Sequence, residues 1–269
     1  TPTCALDARR CREEGFMTRA VLSAEKVTHQ YGDVTTLHEL DLQVPQGEFL
    51  VILGPSGCGK STLLNLFAGF QRPASGRVLL HGEEIIDVEP RCGMVFQDYA
   101  LFPWLSVKRN ISFGPRLRGQ VDARRIDDLR SIVGIEGFGD HYPSPLSGGM
   151  KQRVALARRL ANDPEVLLCD EPFGAVDAMT RQVLQEELSR IASAENKTVV
   201  FITHSIDEAI LLADRIVVLS ARPSRIKTSI ANDLPRPRTR HMLHSRECQR
   251  LKDELWDSVK DEVVAAMRH

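Results

Sequence analysis

Residues 49–64 read FLVILGPSGCGKSTLL, an apolar run followed by a glycine-rich loop and then by apolar residues at helical spacing. The loop is Gly54-Pro55-Ser56-Gly57-Cys58-Gly59-Lys60-Ser61, which fits the pattern GxxxxGK[ST]. Glycines accept backbone angles that turn consecutive N–H groups inward, and the following helix adds the positive end of its dipole. A strand, loop and helix in this order predict a phosphate-binding loop. A glycine turn that binds nothing is the weaker interpretation.

Two side chains of this loop can act on phosphates directly. Lys60 can reach the β- and γ-phosphates of a nucleoside triphosphate, and the Ser61 hydroxyl can ligate Mg²⁺. The motif indicates a nucleotidase with a P-loop but does not say of which class. The nucleotide-binding residues predicted here are Gly54, Pro55, Ser56, Gly57, Cys58, Gly59, Lys60, Ser61 and Thr62.

A second apolar run ends in two acidic residues. Residues 166–172 read VLLCDEP, and the carboxyl end of a parallel strand faces the ligand crevice of an α/β sheet. Asp170 can hold the Mg²⁺ shell, and Glu171 can polarise the attacking water. Alone, the pattern would fit an ordinary solvated strand end, but beside a phosphate loop it favours catalytic acids. The sequence contains no NKxD motif for reading guanine, so ATP is the expected nucleotide.

The apolar runs predict the fold class. Residues 49–53, 166–168 and 199–202 are continuous and rich in Val, Ile and Leu, which suits parallel strands that are covered on both faces by helices. Helical periodicity predicts helices over 61–68, 150–161, 180–193 and 207–213, with a strand over 215–219. Before the phosphate loop and after its helix, strand-like segments alternate with predicted turns at Gly32, Gly47, Gly76 and Gly82.

Composition narrows the classes of protein further. The chain has 269 residues, of which 42% are hydrophobic and 26% charged, and its formal net charge is -1, so no overall field attracts nucleic acid or anionic lipid. No apolar run approaches the roughly 18 residues that a bilayer-spanning helix needs, and residues 1–16 do not read as a secretory signal. The six cysteines form no CxxC pair, which favours reduced cytosolic thiols. Any membrane role would depend on partner subunits.

A third motif identifies a family. Residues 146–153 read LSGGMKQR, where Ser147 is a predicted N-cap and Gly148 and Gly149 add exposed backbone N–H groups. Alone, this would be a plain capped helix start. Together with the phosphate loop and the two acids, the chain resembles the ABC transporter ATPase family over about residues 22–219, and LSGGMKQR matches the signature of that family.

Four further matches carry the resemblance. Gln97 in VFQDYALFPW matches the Q-loop, Asp177 ends the D-loop match FGAVD, and His204 in FITHS matches the switch histidine. Tyr31 in HQYGD matches the aromatic residue that stacks on adenine, although it could also be a half-buried turn residue. The resemblance implies catalytic roles for Glu171, His204 and Gln97, metal contacts from Ser61, Gln97 and Asp170, and further nucleotide contacts from Tyr31, Ser147, Gly148, Gly149 and Asp177.

The resemblance also implies a fold and a domain arrangement. We expect a P-loop NTPase (RecA-like) core with a parallel sheet, an N-terminal antiparallel β subdomain and an inserted helical subdomain over about 98–162. The ATPase domain would span 17–233 and start at Met17, after a disordered tail of residues 1–16. Residues 234–269 would form a linker and a C-terminal helical extension with an apolar stripe at Leu251, Leu255, Val259 and Val263.

The family mechanism predicts partners for the chain. Two copies would bind head to tail, with each ATP between the phosphate loop of one copy and the Ser147 segment of the other, and loss of the γ-phosphate would open the dimer. The cluster Leu101, Phe102, Pro103 and Trp104 follows Gln97 and fits either ordinary core packing or a groove for a permease coupling helix. The complex would contain permease subunits and, through them, a solute-binding protein, at the cytoplasmic face of the inner membrane and without nucleic acid.

Several strings resemble the subfamily that imports nitrate, sulfonates and taurine: NLFAGFQRPASG, QDYALFPWLSVKRNISFG, DEPFGAVDAMTR, ARPSRI and LPRPRTR. Ser205 departs from this family, which commonly has an acid after the switch histidine, and Cys169 stands where Leu or Met is usual. We therefore expect an importer subunit for a small anionic or zwitterionic solute, with ATP and Mg²⁺ as cofactors.

Two other functions remain open from the sequence. A soluble ABC-type ATPase that acts on nucleic acid or ribosomes would usually carry long coiled coils, zinc modules or two ATPase units, and none of these is evident here. A kinase-like phosphotransferase would leave the signature helix without a role.

Overall fold

The computed structural model of the protein describes residues 20–96, 99–174 and 176–266. The predicted tail of residues 1–16, the domain start at Met17 and the Q-loop residue Gln97 lie outside these ranges. Within the described ranges, no helix is both long enough and apolar enough to cross a bilayer.

In the described ranges, ten strands form two sheets. The strands are β1 (Ala20–Tyr31), β2 (Val34–Pro45), β3 (Phe49–Leu53), β4 (Ser75–Leu80), β5 (Glu83–Glu84), β6 (Cys92–Val95), β7 (Val166–Asp170), β8 (Thr198–Ile202), β9 (Arg215–Leu219) and β10 (Ile226–Ala231). The smaller sheet is antiparallel with the order β2-β1-β4-β5. The larger sheet has the order β10-β9-β3-β8-β7-β6, and its strands are parallel except for β10.

The helices of the described residues are α1 (Lys60–Phe67), α2 (Val107–Ile111), α3 (Phe113–Leu117), α4 (Ala123–Ile132), α5 (Gly148–Leu160), α6 (Ala178–Ala194), α7 (Ile206–Leu212) and α8 (Arg246–Ala266). Short 3₁₀ turns cover Glu136–Phe138 and Arg240–His244. Helices α2 to α5 lie between β6 and β7 in the chain, so the insertion is helical. Together with the two sheets this confirms the predicted fold class.

The central strand β3 shows why its sequence is apolar without interruption. Phe49, Val51 and Leu53 pack on one face of the sheet with residues of α5, α6 and α7. Leu50 and Ile52 pack on the other face with α1 and the smaller sheet. Successive side chains of a strand point to opposite faces, so a strand that is covered on both sides has no polar position to alternate with.

One predicted turn is wrong. Gly76 lies inside β4 with a φ of 78° and not at a turn. A Cβ atom on Gly76 would lie 2.3 Å from the carbonyl oxygen of Lys26, at an irregularity in the pairing of β1 with β4. Glycine is required here because two backbones approach closely, which is the other common reason for a glycine in a strand.

The predicted connector after residue 233 is fixed to the preceding part of the chain by two arginines. Arg236 donates hydrogen bonds to the Asp214 carboxylate (2.9 and 3.1 Å) and to the Leu212 carbonyl (2.9 Å). The side chain of Arg238 is only 3% exposed and donates to the carbonyls of Leu234, Asn232 and Ala213. Burial lowers the pKa of Arg238 to about 10, and the carbonyl acceptors satisfy the buried guanidinium.

We expect Arg238→Ala to lower the free energy of unfolding by about 2–3 kcal/mol, because the Leu234 and Asn232 carbonyls lose their donor and the Ala213 carbonyl keeps only its bond from the Asn232 side chain. Urea unfolding followed by circular dichroism measures this change. Arg240→Ala is the matched control, since its side chain is exposed and surface substitutions usually change stability by less than about 0.5 kcal/mol. Equal unfolding midpoints for the two variants would show that the connector is not anchored by Arg238.

Candidate functional site

The order of the strands brings the predicted motifs to one edge of the large sheet. Strands β9, β3, β8 and β7 are consecutive and parallel, so their carboxyl ends lie side by side. A cleft of about 370 Å³ opens at this edge and is lined by Gly54, Pro55 and Ser56 of the loop, by His204 and by Trp256 of α8. The predicted phosphate loop and the predicted switch histidine therefore line the same cleft in the folded chain.

The phosphate loop depends on glycine at two positions of positive φ. Gly57 has a φ of 74° and Gly59 a φ of 114°, conformations that other residues rarely adopt. A Cβ atom on Gly59 would also lie 2.9 Å from Cδ2 of Leu37, which belongs to β2. The β1–β2 hairpin therefore packs directly against the loop.

Lys60 lies inside the loop that it is predicted to serve. It is only 8% exposed, and its Nζ donates to the carbonyls of Gly54 and Pro55, both at 2.9 Å. The N–H of Cys58 also donates to the Pro55 carbonyl at 3.3 Å. The ammonium group of Lys60 is thus held inside the loop by two backbone carbonyls. From this position it can also bind a phosphate.

Asp170 lies at the end of β7 and is 9% exposed. Burial raises the pKa of this carboxyl group, while a hydrogen bond with the Ser61 side chain and the charge of Lys60 partly lower it and Glu171 raises it further. A desolvated carboxylate beside a hydroxyl group is a favourable place for a hard cation.

The oxygen donors of Asp170 and Ser61 fit Mg²⁺. Within the described ranges, no group of three or more His, Cys, Asp or Glu side chains could hold a metal ion by itself. Mg²⁺ commonly binds through one or two protein oxygens and completes its shell with water and substrate phosphates, so the two residues are sufficient for that mode of binding.

Glu171 and His204, the two predicted catalytic residues in the described ranges, are in contact. His204 Nδ1 lies 3.2 Å from Glu171 Oε2. Glu171 has a φ of 45°, which is uncommon for a residue other than glycine, and strained residues of this kind cluster at active sites. Ser205, the departure from the family pattern, caps α7 by accepting the Glu208 N–H at 3.3 Å.

Tyr31 lies at the end of β1, on the hairpin that packs against the phosphate loop. Its ring is half exposed, edge-on to His29 with 4.7 Å between the ring centroids, and its hydroxyl hydrogen-bonds with Gln71. The ring therefore has accessible surface on which a base could stack, and the adenine contact stays a prediction.

The signature residues lie in the helical insertion. Ser147 is exposed and caps α5 by accepting the Met150 N–H at 3.3 Å, with Gly148 and Gly149 in the first turn. Among the described residues, no hydrogen bond joins Ser147 to the phosphate loop of the same chain. Asp177 caps α6, and hydrogen bonds from the N–H and the side chain of Thr180 lower the pKa of its carboxyl group.

Two arginines of the signature helix, Arg158 and Arg159, have contacts that the sequence did not predict. Arg158 donates to the Ala100 carbonyl at 2.7 Å and lies over the Phe102 ring, 5.5 Å from its centroid. Arg159 donates to the Met94 carbonyl. Burial lowers the pKa of both, to about 10 for Arg158. They connect the signature helix to the chain on both sides of residue 97.

A third arginine, Arg222, was also missed. It lies in the turn that follows β9, and its Nε donates a hydrogen bond to the Gly57 carbonyl of the phosphate loop. The string ARPSRI was visible in the sequence, but only the order of the strands shows that it lies beside the loop.

The geometry agrees with the comparison to known families. The profile of the family described as ABC transporter matches residues 37–174, which include the phosphate loop, the signature and both acids. The chain belongs to this family. It is an ATP-binding subunit of the ABC type and an ATPase.

Curated relatives cover most of the chain. An uncharacterised ABC transporter ATP-binding protein of Methanocaldococcus jannaschii is 49% identical over 238 residues, covering 87% of this chain and 88% of that protein. A taurine import ATP-binding protein of Jannaschia sp. is 48% identical, and the alignment covers 72% of this chain and 74% of that protein. An aliphatic sulfonates import ATP-binding protein of Bacillus cereus is 45% identical, with coverages of 79% and 84%.

Solved structures show the same fold. A dimeric ATP-binding cassette in a post-hydrolysis state, bound to ADP and phosphate, superposes with a TM-score of 0.72 at 30% identity. The match covers 80% of this ABC ATPase and 100% of that chain.

Proposed function

We propose that this ABC ATPase energises an importer for a small anionic or zwitterionic solute, with a sulfonate such as taurine as the first candidate. The observation that carries the ATP-driven part of the proposal is the meeting of Lys60, Asp170, Glu171 and His204 at one sheet edge, while the signature serine stays exposed on the helical insertion. The import part rests on the similarity to import ATP-binding proteins. The names of the taurine and sulfonate relatives support the choice of solute.

The residues of this chain have distinct tasks in hydrolysis. Lys60 balances the charge of the β- and γ-phosphates from within the loop. Glu171 accepts a hydrogen bond from the attacking water and polarises the water. His204 contacts the Glu171 carboxylate and orients that carboxylate. Mg²⁺, when bound by Asp170 and Ser61, would neutralise charge on the phosphate oxygens. Gln97 is the proposed link from this site to the helical insertion.

Two copies would complete the site. The exposed Ser147, with the amides of Gly148 and Gly149, forms an anion-binding helix start that no described hydrogen bond ties to its own phosphate loop. In a head-to-tail dimer, this helix start of one copy covers the γ-phosphate held by the other. The dimeric cassette bound to ADP and phosphate supports the pairing of two copies.

The apolar cluster after residue 97 would contact the permease. The structure divides the cluster, because Leu101 packs against the core whereas Trp104 is 69% exposed. Phe102 lies between them, 4.4 Å from the Phe113 ring and 5.6 Å from the Trp104 ring, measured between centroids. Since Arg158 of the signature helix lies over Phe102, the cluster is connected to the nucleotide-binding face. An exposed aromatic on a rigid base is typical of an interface.

Trp104→Ala should leave the basal ATPase rate within about twofold of the wild type but reduce solute uptake at least tenfold. The reason is that an aromatic anchor that a partner covers typically contributes more than about 2 kcal/mol to the interface. Uptake by proteoliposomes that contain the assembled transporter measures the effect. Leu117→Ala is the control, since Leu117 is 75% exposed in the same helical insertion. Unchanged uptake with Trp104→Ala would show that Trp104 is an ordinary surface residue and does not contact the permease.

The proposed location and partners are tested by co-purification. Expressed with its permease, the ATPase should bind peripherally at the cytoplasmic face of the inner membrane, and solute-loaded binding protein should stimulate its ATPase rate. An ATPase that stays unassociated with any permease and is stimulated by nucleic acid or ribosomes would support the soluble alternative and contradict the proposal.

A further inference from the structure

The turn between β9 and β10, residues 220–225, lies against the phosphate loop because β9 is the parallel neighbour of β3. Arg222 is at its tip, and its Nε donates to the Gly57 carbonyl. The guanidinium lies so close to the loop that its Nη2 would be 3.1 Å from a Cβ atom on Gly57.

The turn itself is firmly held. The N–H of Ser220 donates to the Arg225 carbonyl at 2.9 Å, and the N–H of Arg225 donates to the Ser220 hydroxyl at 3.0 Å. Ser224 is fully buried, pairs through its backbone with Thr36 and His38 of β2, and hydrogen-bonds through its side chain with Cys58 of the phosphate loop. The turn, strand β2 and the loop therefore form one hydrogen-bonded unit.

The C-terminal helix braces this unit. Glu262 of α8 accepts the N–H of Ala221, the residue before Arg222, at 2.7 Å. The same carboxylate forms an ion pair of 3.0 Å with Lys227 of β10. The helix thus holds the backbone from which Arg222 reaches the phosphate loop.

We propose that Arg222 is a positioning residue of the phosphate loop and that α8, through Glu262, holds Arg222 in place. Lys60 fixes the carbonyls of Gly54 and Pro55, and Arg222 fixes that of Gly57. Glycine at positive φ reorients easily, and a Gly57 carbonyl turned towards a bound phosphate would repel it. A guanidinium is always charged and donates in a fixed plane, so it holds this carbonyl away from the nucleotide.

The proposal predicts an effect on nucleotide affinity and not on the chemical step. The loop is shaped before the nucleotide arrives, so a loosened Gly57 peptide weakens ATP and ADP alike. Turnover at saturating ATP depends on Glu171 and His204, which Arg222 does not touch in the described structure.

Arg222→Ala should raise the KM for ATP and the Kd for ADP about tenfold each, which corresponds to about 1.4 kcal/mol, with kcat within about twofold of the wild type. Steady-state phosphate release gives KM and kcat, and titration calorimetry gives the Kd for ADP. Arg222→Lys should recover part of the affinity, because a lysine keeps the charge but donates without the planar fork. An unchanged KM, or a loss of affinity for ATP with normal affinity for ADP, would overturn the proposal.

Arg225→Ala is the matched control from the same turn. Within the described residues, its exposed side chain has no hydrogen-bond partner, and only its backbone takes part in the turn. It should keep the wild-type KM and Kd. A loss of affinity equal to that of Arg222→Ala would show that general charge, and not the bond to Gly57, is responsible. Melting temperatures without nucleotide should agree for the two variants.

A double-mutant cycle tests the brace. Glu262→Ala should raise the Kd for ADP about threefold in the wild-type background and should add nothing in the Arg222→Ala background, because residues that act through one contact are not additive. Equal effects in the two backgrounds, or none in the first, would separate α8 from the positioning of Arg222.

Discussion

Lys60→Ala is expected to reduce ATP hydrolysis to the background rate and to weaken ATP binding at least a hundredfold. Lys60 is the buried cation of the phosphate loop, and its Nζ holds the carbonyls of Gly54 and Pro55 at 2.9 Å. The substitution removes the charge that balances the phosphates and the ammonium donor that both carbonyls share. Hydrogen bonds to charged groups contribute about 1.5–3 kcal/mol each, and about 1.4 kcal/mol changes affinity tenfold.

Phosphate release measures the loss of hydrolysis, and calorimetric titration with ATP measures the loss of binding. Lys108→Ala is the control, because Lys108 belongs to the helical insertion and its side chain is half exposed. Its Nζ forms an ion pair with Asp127 Oδ1 at a distance of 3.6 Å. The control variant should hydrolyse ATP at the wild-type rate. Normal turnover by Lys60→Ala would overturn the assignment of the phosphate loop.

Glu171→Gln is expected to bind ATP with wild-type affinity while its hydrolysis rate falls about a thousandfold. A positioned general base contributes about 10²–10⁴-fold to a rate, and an amide cannot accept the proton of the attacking water. Glutamine has the shape of glutamate and can keep the contact with His204, so the site should stay intact. With ATP retained, the variant should accumulate as a dimer.

Single-turnover kinetics and sedimentation in ATP and in ADP measure these effects. Glu165→Gln is the control, because Glu165 lies before the start of β7 and contacts His81. Asp170 and Glu171 lie at the opposite end of that strand. The control variant should hydrolyse ATP normally and sediment as the wild type does. If Glu171→Gln hydrolysed ATP at the wild-type rate, or stayed a monomer in ATP, the role of Glu171 or the shared site would be wrong.

Much of the fold could be predicted because its signals are local. The apolar run of β3 is unbroken since both faces are covered, and the glycines of the loop mark backbone angles that the structure shows at Gly57 and Gly59. Asp170 and Glu171 were located from the end of one strand. The predicted strand over residues 215–219 has the bounds that the structure gives to β9.

The parts that could not be predicted depend on which elements become neighbours. Arg222 reaches the phosphate loop because β9 pairs with β3, far away in the sequence. Arg158 reaches the Ala100 carbonyl only because the chain around residue 100 folds back onto α5. Gly76 reads as a turn until β1 approaches β4. Arg238 anchors the predicted linker after residue 233. This could not be predicted, because its carbonyl partners come together only in the folded chain.

An experimental structure of Glu171→Gln with Mg²⁺ and ATP tests the central claim most directly. The account predicts a two-fold dimer in which the γ-phosphate bound by Lys60 of one copy also accepts hydrogen bonds from the Ser147 hydroxyl and the Gly149 amide of the other copy. A nucleotide whose γ-phosphate contacts a single chain, with the signature helices far from any neighbouring phosphate, would contradict it.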